Sequence, residues 1–367
     1  MEQDKYRYYL GTSGFSIYEA LGTALQRRGD WNRETKKTKM HTCDVVLGDR
    51  FDIPYHLLKE GSKPLIINYF KGSHRLTLKA SMARTLRDVD GSASYMPLTF
   101  VLGGKEGAAD ELPAMKEYFE TQKENSGSVF IVKPSAGCKG QGVLISSSLE
   151  EIASFVKTNT GEKGSLFVAQ RYIDRPFLIQ GRKFDIRVWA MLSHPYNIHV
   201  FTEGSCRTAS VKYEPGDLTR THSHLTNHCL QESSDDYGKY EEGNEMWYAD
   251  FDKYLASIGC DQRVRTHIEP QMDHIIKESL VAVKELIEVS PCERYQCFQL
   301  FGYDFILDEA LKVHLLEING SPGSADKWLD DVTSGLAALA IDPTFPPQTA
   351  VAEKTDLSKW RQVYPVK

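Results

Sequence analysis

The chain has 367 residues, 26% of them charged, with a formal net charge of −6. That length favours two or three domains, the composition is that of an ordinary globular protein, and the charge balance excludes a molecule that is polycationic overall and binds nucleic acid. Seven cysteines without a CxxC pair fit reduced thiols, and no apolar run approaches the roughly 18 residues of a bilayer span, so neither a nucleic-acid nor a membrane partner is expected and the location expected is cytoplasmic.

In chain order, Tyr6 to Leu10 reads as a strand, Ile17 to Arg28 as a helix, and Val45 to Leu47 and Leu65 to Tyr69 as strands. Arg27, Arg28, Arg33, Lys36, Lys37, Lys39 and Arg50 outnumber the acids between them, which predicts a small α/β domain, residues 1–72, with one basic face. Residues 76–88 read as a helix, Met96 to Leu102 as a strand, and Leu112 to Gln122 as a short helix after a polar loop. The stretch VFIVKPSAGCKGQGVLI, 129–145, then reads strand, glycine loop, strand. Glycines with a lysine suit backbone amides and a cation held against phosphates. The element after the loop is a strand, however, whereas GxxxxGK[ST] and GxGxxG both require a helix there. A helix at Leu149 to Lys157 and a strand at Leu166 to Ile173 complete a central unit, 73–181.

The third unit, 182–367, begins with two strands within 183–209, followed by a polar stretch to about Asn244. Helices follow at Glu245 to Ser257 and about Ile268 to Glu288, then a hairpin in FQLFGYDFILDEALKVHLLEING. With Glu309 to Lys312 as a four-residue loop, Asp308 pairs with Val313 and the ladder sets Asp304 opposite Glu317, with Asn319 on the same face. Two carboxylates and an amide suit Mg²⁺, which takes hard oxygen ligands and leaves places for phosphates. A solvated sheet face is the bland alternative, but both acids sit among apolar neighbours, where unpaired charge is expensive.

In RKFDIRVW, alternation puts Lys183, Asp185 and Arg187 on one face. An ordinary half-exposed strand would look the same; beside a phosphate site, that row would neutralise the γ-phosphate and orient an anionic acceptor. HSHLTNHC clusters His222, His224 and His228 with Cys229, but no CxxC or HExxH accompanies it, so zinc is not supported. No GxSxG elbow occurs either.

Taken in order, a strand lysine (Lys133), a Gly-rich hairpin loop, an apolar strand ending in VAQRYI, a basic strand, and an Asp followed by Glu-x-Asn resemble the ATP-grasp enzymes. KPSAGCKGQGVLI, GRKFDIRVW, RTAS, HLTNHCLQ, YGKYEEGNEM, FQLFGYDF and LLEINGSPG are similar to the tubulin tyrosine ligase-like family, HLTNHCLQ and KYEEGNEM most to its tyrosine-adding members. The resemblance implies an α/β (α+β) ATP-grasp fold with a small N-terminal α/β domain that docks tubulin, and a monomer associated with the cytoskeleton. It implies ATP and Mg²⁺ as cofactors, and as partners free tyrosine and α/β-tubulin through its acidic α-tubulin tail.

Residue by residue, the resemblance places Lys79 and Lys133 on the phosphates, with Lys139, Gly140 and the neighbouring glycines closing over them. Gln170, Arg171 and Ile173 fall on the adenine side, Lys183 and Asp185 along the nucleotide, and His224, Leu225, Thr226 and Asn227 near the ribose and phosphates. Arg187, Arg207 and Glu317 are the expected catalytic groups, and Asp304, Glu317 and Asn319 the metal ligands. Leu78 departs from the pattern, standing where the animal ligase carries a basic residue.

The reaction implied is ATP-dependent ligation of tyrosine to the C-terminal glutamate of detyrosinated α-tubulin through an acyl phosphate. Its alternatives are a glutamate- or glycine-adding member of the same family, an ATP-grasp small-molecule kinase, and an inactive tubulin-sequestering module.

Overall fold

The computed structural model describes residues 4–11, 16–48, 53, 55, 64–105, 110–121, 128–137, 140–161, 164–287, 295–348 and 356–365. The chain is mixed α/β, with a ten-stranded mixed sheet and a four-stranded antiparallel sheet, as expected of an ATP-grasp enzyme. No helix among the described residues is long and apolar enough to cross a membrane. Cys43, Cys206, Cys229, Cys260 and Cys297 are free thiols.

The large sheet is built on β12 (Tyr295–Leu307), whose FQLFGYDFIL stretch is buried throughout. Its central residues pair antiparallel with β9 (Phe184–Ser193) on one edge. The other edge is shared: β13 (Val313–Asn319) pairs antiparallel along the second half, and β4 (Leu65–Ile67) pairs in parallel with the first three residues. Through β4 the sheet continues to β3 (Val45–Leu47), β1 (Tyr6–Leu10) and β2 (Trp31–Glu34), all parallel. On the far side, β10 (Asn197–Thr208) pairs with β9 and carries the short strands β11 (Glu245–Trp247) and β14 (Trp360–Tyr364). The N-terminal strands and the hairpin of β12 and β13 therefore belong to one hydrogen-bonded sheet.

Helices cover both faces of that sheet. On one, helix Ser16–Arg27 and helix Asp326–Leu336 bury Ile17, Leu21, Leu25, Val332 and Leu336 against Val45, Leu47, Trp189, Met191 and Phe298. On the other, helix Glu269–Ala282 buries Met272, Ile275, Ile276 and Leu280 in the same core as Ile186, Val188, Phe301 and Tyr303.

The small sheet has the order β5 (Thr99–Gly103), β8 (Leu166–Arg171), β6 (Phe130–Pro134), β7 (Leu144–Ser146). Helix Leu112–Thr121 and helix Leu149–Thr160 cover one face, with Phe100, Leu102, Phe130, Val132 and Phe167 packed between. Strand alternation then turns Ile131 and Lys133 to the opposite face, toward the large sheet. The helix expected at 76–88 is interrupted: Leu78 is extended between helix His74–Thr77 and helix Lys79–Arg87, which leaves Lys79 at a helix N-terminus facing the hairpin.

Three strands differ from the sequence reading. β2 holds one apolar residue in WNRE, and β11 occupies the first turn of the helix expected at Glu245; β14 lay in an unassigned tail. Each is short and sits at an edge, so the usual apolar alternation is weak.

The C-terminal strand is keyed into the core by one glycine. A Cβ on Gly335 would overlap the Trp360 indole at Nε1. Gly335→Val should therefore expel the indole and cost about 1–3 kcal/mol by overpacking. A lower thermal midpoint is expected, and an unchanged midpoint would show that β14 docks by other means.

Candidate active site

An open cleft of about 860 Å³ lies between the inner face of the small sheet and the end of the large one. Lys79, Lys133, Gly140, Gln170, Arg171, Ile173, Lys183, Asp185, Arg207, His224, Leu225, Thr226, Asn227, Asp304 and Glu317 all border it. Arg187 and Asn319 reach the same cluster through Asp304. Lys139 lies outside the described residues.

The hairpin carries the pairing anticipated, by a different route. Leu307, not Asp308, pairs with Val313, so the turn is one residue longer than expected. A bulge then makes Phe305 pair with Leu315 and Asp304 with Glu317, leaving Leu316 as the extra residue. The two offsets cancel. Leu316 also borders the cleft with Ile306, giving it apolar wall on this side.

Across the strands, Arg207 on β10 stands opposite Asp185 on β9, and Arg187 on β9 opposite Asp304 on β12, which faces Glu317 on β13. Arg187 holds Asp304 with both Nε and Nη2, the latter at 3.0 Å. Arg207 donates to Asp185, its Nε at 3.1 Å, and lies 3.0 Å from Asp304 Oδ2. Lys79 Nζ bonds Glu317 Oε2 at 2.9 Å and the Gly137 carbonyl at 2.9 Å, tying the glycine loop to the hairpin.

Burial pushes the Asp304 carboxyl up, but the Arg187 and Arg207 guanidiniums more than offset it and hold the group below the usual range. Asp185 faces the same burial with Arg207 as its main compensation, and its pKa is raised. Removing either arginine would leave a buried carboxylate short of a partner, which is costlier than the pair is favourable.

A second chain of bonds fixes the wall of the cleft that His224 and Lys183 line. His224 Nε2 lies 2.8 Å from the Asp217 carbonyl, which only accepts, so Nε2 carries the proton. In the neutral ring Nδ1 accepts from the Tyr172 hydroxyl at 2.8 Å, and that oxygen accepts from Lys183 Nζ at 2.7 Å. Burial lowers the His224 pKa, consistent with the neutral ring. Both ring nitrogens are committed, so His224 holds Tyr172 and through it the direction of Lys183. Lys133 Nζ donates to Gln170 Oε1 at 3.1 Å, whereas the Arg171 guanidinium turns to the Tyr118 hydroxyl.

Ile131, Tyr172 and Leu225 form a small apolar cluster with Val143, a surface suited to a base. Gly140 has φ +71°, which favours glycine, and a Cβ there would lie 3.2 Å from Asn227 Oδ1. Gly140 thus sits directly against the Leu225–Asn227 segment. Sequence reasoning assigned Tyr172 no function, because nothing local distinguishes a phenol that orients a lysine from one that only packs.

Among the described residues no group of three or more His, Cys, Asp and Glu side chains could hold a metal. The donor set here is two carboxylates and an amide: Asn319 Nδ2 lies 3.3 Å from both Asp304 Oδ2 and Glu317 Oε1, so the three heads meet at one point. Such a set fits Mg²⁺, which needs few protein ligands when phosphates supply the rest.

Burial, with Lys133 as a like-charged neighbour, lowers Lys183 to about 7, and burial lowers Lys133 to about 8. At pH 8 the first is mostly neutral and the second about half so, and a polyphosphate restores the charged forms. Binding of a non-hydrolysable ATP analogue with Mg²⁺ should then take up roughly one and a half protons at pH 8 and far less at pH 6, where both are already charged. Calorimetry in buffers of different ionisation enthalpy measures this. Equal uptake at both pH values would contradict the assignment of these lysines to phosphate.

Residues 60–353 match the profile described as the tubulin-tyrosine ligase family. The chain is 27% identical over 357 residues to the probable tubulin polyglutamylase TTLL9 of Bos taurus, spanning 84% of this chain and 73% of the relative, and the Mus musculus protein of that name gives the same figures. The probable tubulin polyglutamylase ttll-9 of Caenorhabditis elegans is 27% identical over 265 residues, 71% of this chain and 58% of the relative. With the fold, the glycine loop and the carboxylate hairpin in place, the chain belongs to the tubulin-tyrosine ligase family.

Proposed function

We propose that this protein is an ATP-dependent carboxylate–amine ligase that joins a free amino acid to a glutamate carboxylate of tubulin, and that the amino acid added is glutamate. The observation that carries the ligase reading is the row of Arg207, Asp185, Arg187, Asp304 and Glu317 across four strands, beside a glycine loop and three phosphate-side lysines. The motif resemblance favoured tyrosine. The names of the relatives support glutamate addition instead.

In this reading an oxygen of the acceptor carboxylate attacks the γ-phosphorus of ATP and ADP leaves. The amine of the incoming amino acid then attacks the acyl carbon, and inorganic phosphate leaves with that oxygen. Lys79, Lys133 and Lys183 stabilise charge on the transferring phosphoryl, while Arg187 and Arg207 hold the acceptor carboxylate. Asp304, Glu317 and Asn319 would hold Mg²⁺, which when bound offsets repulsion between triphosphate and carboxylate. Closure of the glycine loop excludes water that would hydrolyse the acyl phosphate.

The helix end, strand and turn within residues 27–39 supply docking charge. Arg27, Arg33, Lys36, Lys37 and Lys39 are exposed on one domain, whereas Arg28 is half-buried and paired with Asp342 at 2.5 Å; Arg50 lies outside the described residues. An acidic tail would be steered to such a face, and salt would weaken the attraction.

Separate incubations of tubulin and Mg·ATP with labelled glutamate, tyrosine or glycine test the proposal. Incorporation of glutamate alone is expected. Tyrosine alone would restore the tyrosine-ligase reading, and ATP turnover with no amino acid incorporated would point to a kinase. Changing Arg27, Lys36 and Lys37 to Glu together should raise the KM for tubulin at least about tenfold with less than about a twofold change for ATP. Equal effects on both substrates would remove the docking role.

A further inference from the structure

Arg182 is only 1% exposed, yet it does not border the cleft, and no step of the proposed reaction uses it. Its Nη1 donates to Glu241 Oε2 at 2.8 Å and its Nη2 to Oε1 at 2.5 Å. The same guanidinium reaches Thr208 Oγ1 at 3.2 Å and the Ala209 carbonyl at 3.3 Å, and the Tyr240 ring lies 4.2 Å from it. Mere stability does not require such an arrangement, since a buried ion pair can often be replaced by apolar residues without loss. Direction is what charges add and apolar contacts lack.

That direction leads to the nucleotide side. Thr208 Oγ1 donates to Glu241 Oε2 at 2.9 Å, and the Thr208 carbonyl accepts from Asn244 Nδ2 at 3.0 Å. Asn244 has φ +55°; its Nδ2 also donates to Ser210 Oγ at 2.8 Å, and its Oδ1 accepts from Gly238 N. Ser210 N donates to Gln231 Oε1 at 2.7 Å. Gln231, itself 1% exposed, spends its Nε2 protons on the carbonyls of Leu225, at 2.5 Å, and His222, at 3.0 Å. An unbroken series of bonds, half-buried at the ion pair and buried from Asn244 onward, therefore joins the pair to the backbone of Leu225, next to Thr226 and Asn227.

We propose that Arg182 and Glu241 are positioning residues for nucleotide binding: the pair sets the segment 208–244 so that Leu225–Asn227 meets the glycine loop across the nucleotide. The inference rests on the reading of that segment as nucleotide-contacting.

The test uses the full chain with Arg182→Met and Glu241→Leu combined, a pair that keeps volume without leaving a buried charge alone. Glu241→Gln serves as a second variant if it folds, and Asn227→Ala reports on the underlying reading. Affinity for Mg²⁺ with a non-hydrolysable ATP analogue, KM for ATP, kcat at saturating ATP, and hydrogen exchange of amides 225–231 are measured. The double variant should remain folded, bind the analogue about tenfold more weakly with KM raised in step, lose less than about threefold in kcat, and exchange faster at 225–231. Unchanged affinity in a folded double variant would overturn the proposal, as would a fall in kcat at unchanged affinity. If Asn227→Ala leaves affinity intact while the double variant lowers it, the pair acts elsewhere and the nucleotide reading of Leu225–Asn227 is what fails.

Discussion

Arg207 holds Asp185 and Asp304 at once, and the rest of the site depends on that bridge. The two carboxylates sit on adjacent strands at 4% and 3% exposure, where an unpaired charge would be costly. Arg207 and Arg187 make their burial tolerable, and the strand register that places those arginines follows from β9 pairing with both β10 and β12. A shift of register by one residue would turn every one of these side chains to the other face. The sheet is therefore the device that keeps these buried charges balanced.

This balance also explains why so much of the chain is spent on support. Helices on both faces lock the register of β9 and β12, and β4 extends the same sheet into the N-terminal strands. The small sheet contributes Lys133 and the glycine loop, and Lys79 connects that loop to Glu317. Cations already pair with Glu317 and Asp304, so in the proposed reading a divalent ion entering with a nucleotide would compete with Lys79 at the first and with the arginines at the second. The site is thus poised between internal ion pairs and an incoming ligand, with the lysines closest to neutrality lining the cleft.

Much of this was legible in the sequence because the chemistry sits on long strands with strong patterns. Lys183, Asp185 and Arg187 share a face by simple alternation, and Asp304 meets Glu317 in an obvious hairpin. Even there the turn was misjudged by a residue, and a bulge at Leu316 restored the alignment; no local signal announces a bulge among Leu315, Leu316 and Glu317. The parallel pairing of β4 with β12 joins residues some 230 positions apart and leaves no trace in either segment. The Arg182–Glu241 pair and the Tyr172–His224 bond were hidden for the same reason, since each links residues that are neighbours only after folding.

The central claim is that an acceptor carboxylate is activated by phosphorylation in this cleft. A tubulin-tail peptide whose acceptor carboxylate carries ¹⁸O, incubated with Mg·ATP and glutamate, tests it directly by mass analysis of the phosphate released. Passage through an acyl phosphate predicts phosphate bearing one ¹⁸O atom for each amino acid joined. Ligation that releases only unlabelled phosphate would contradict it.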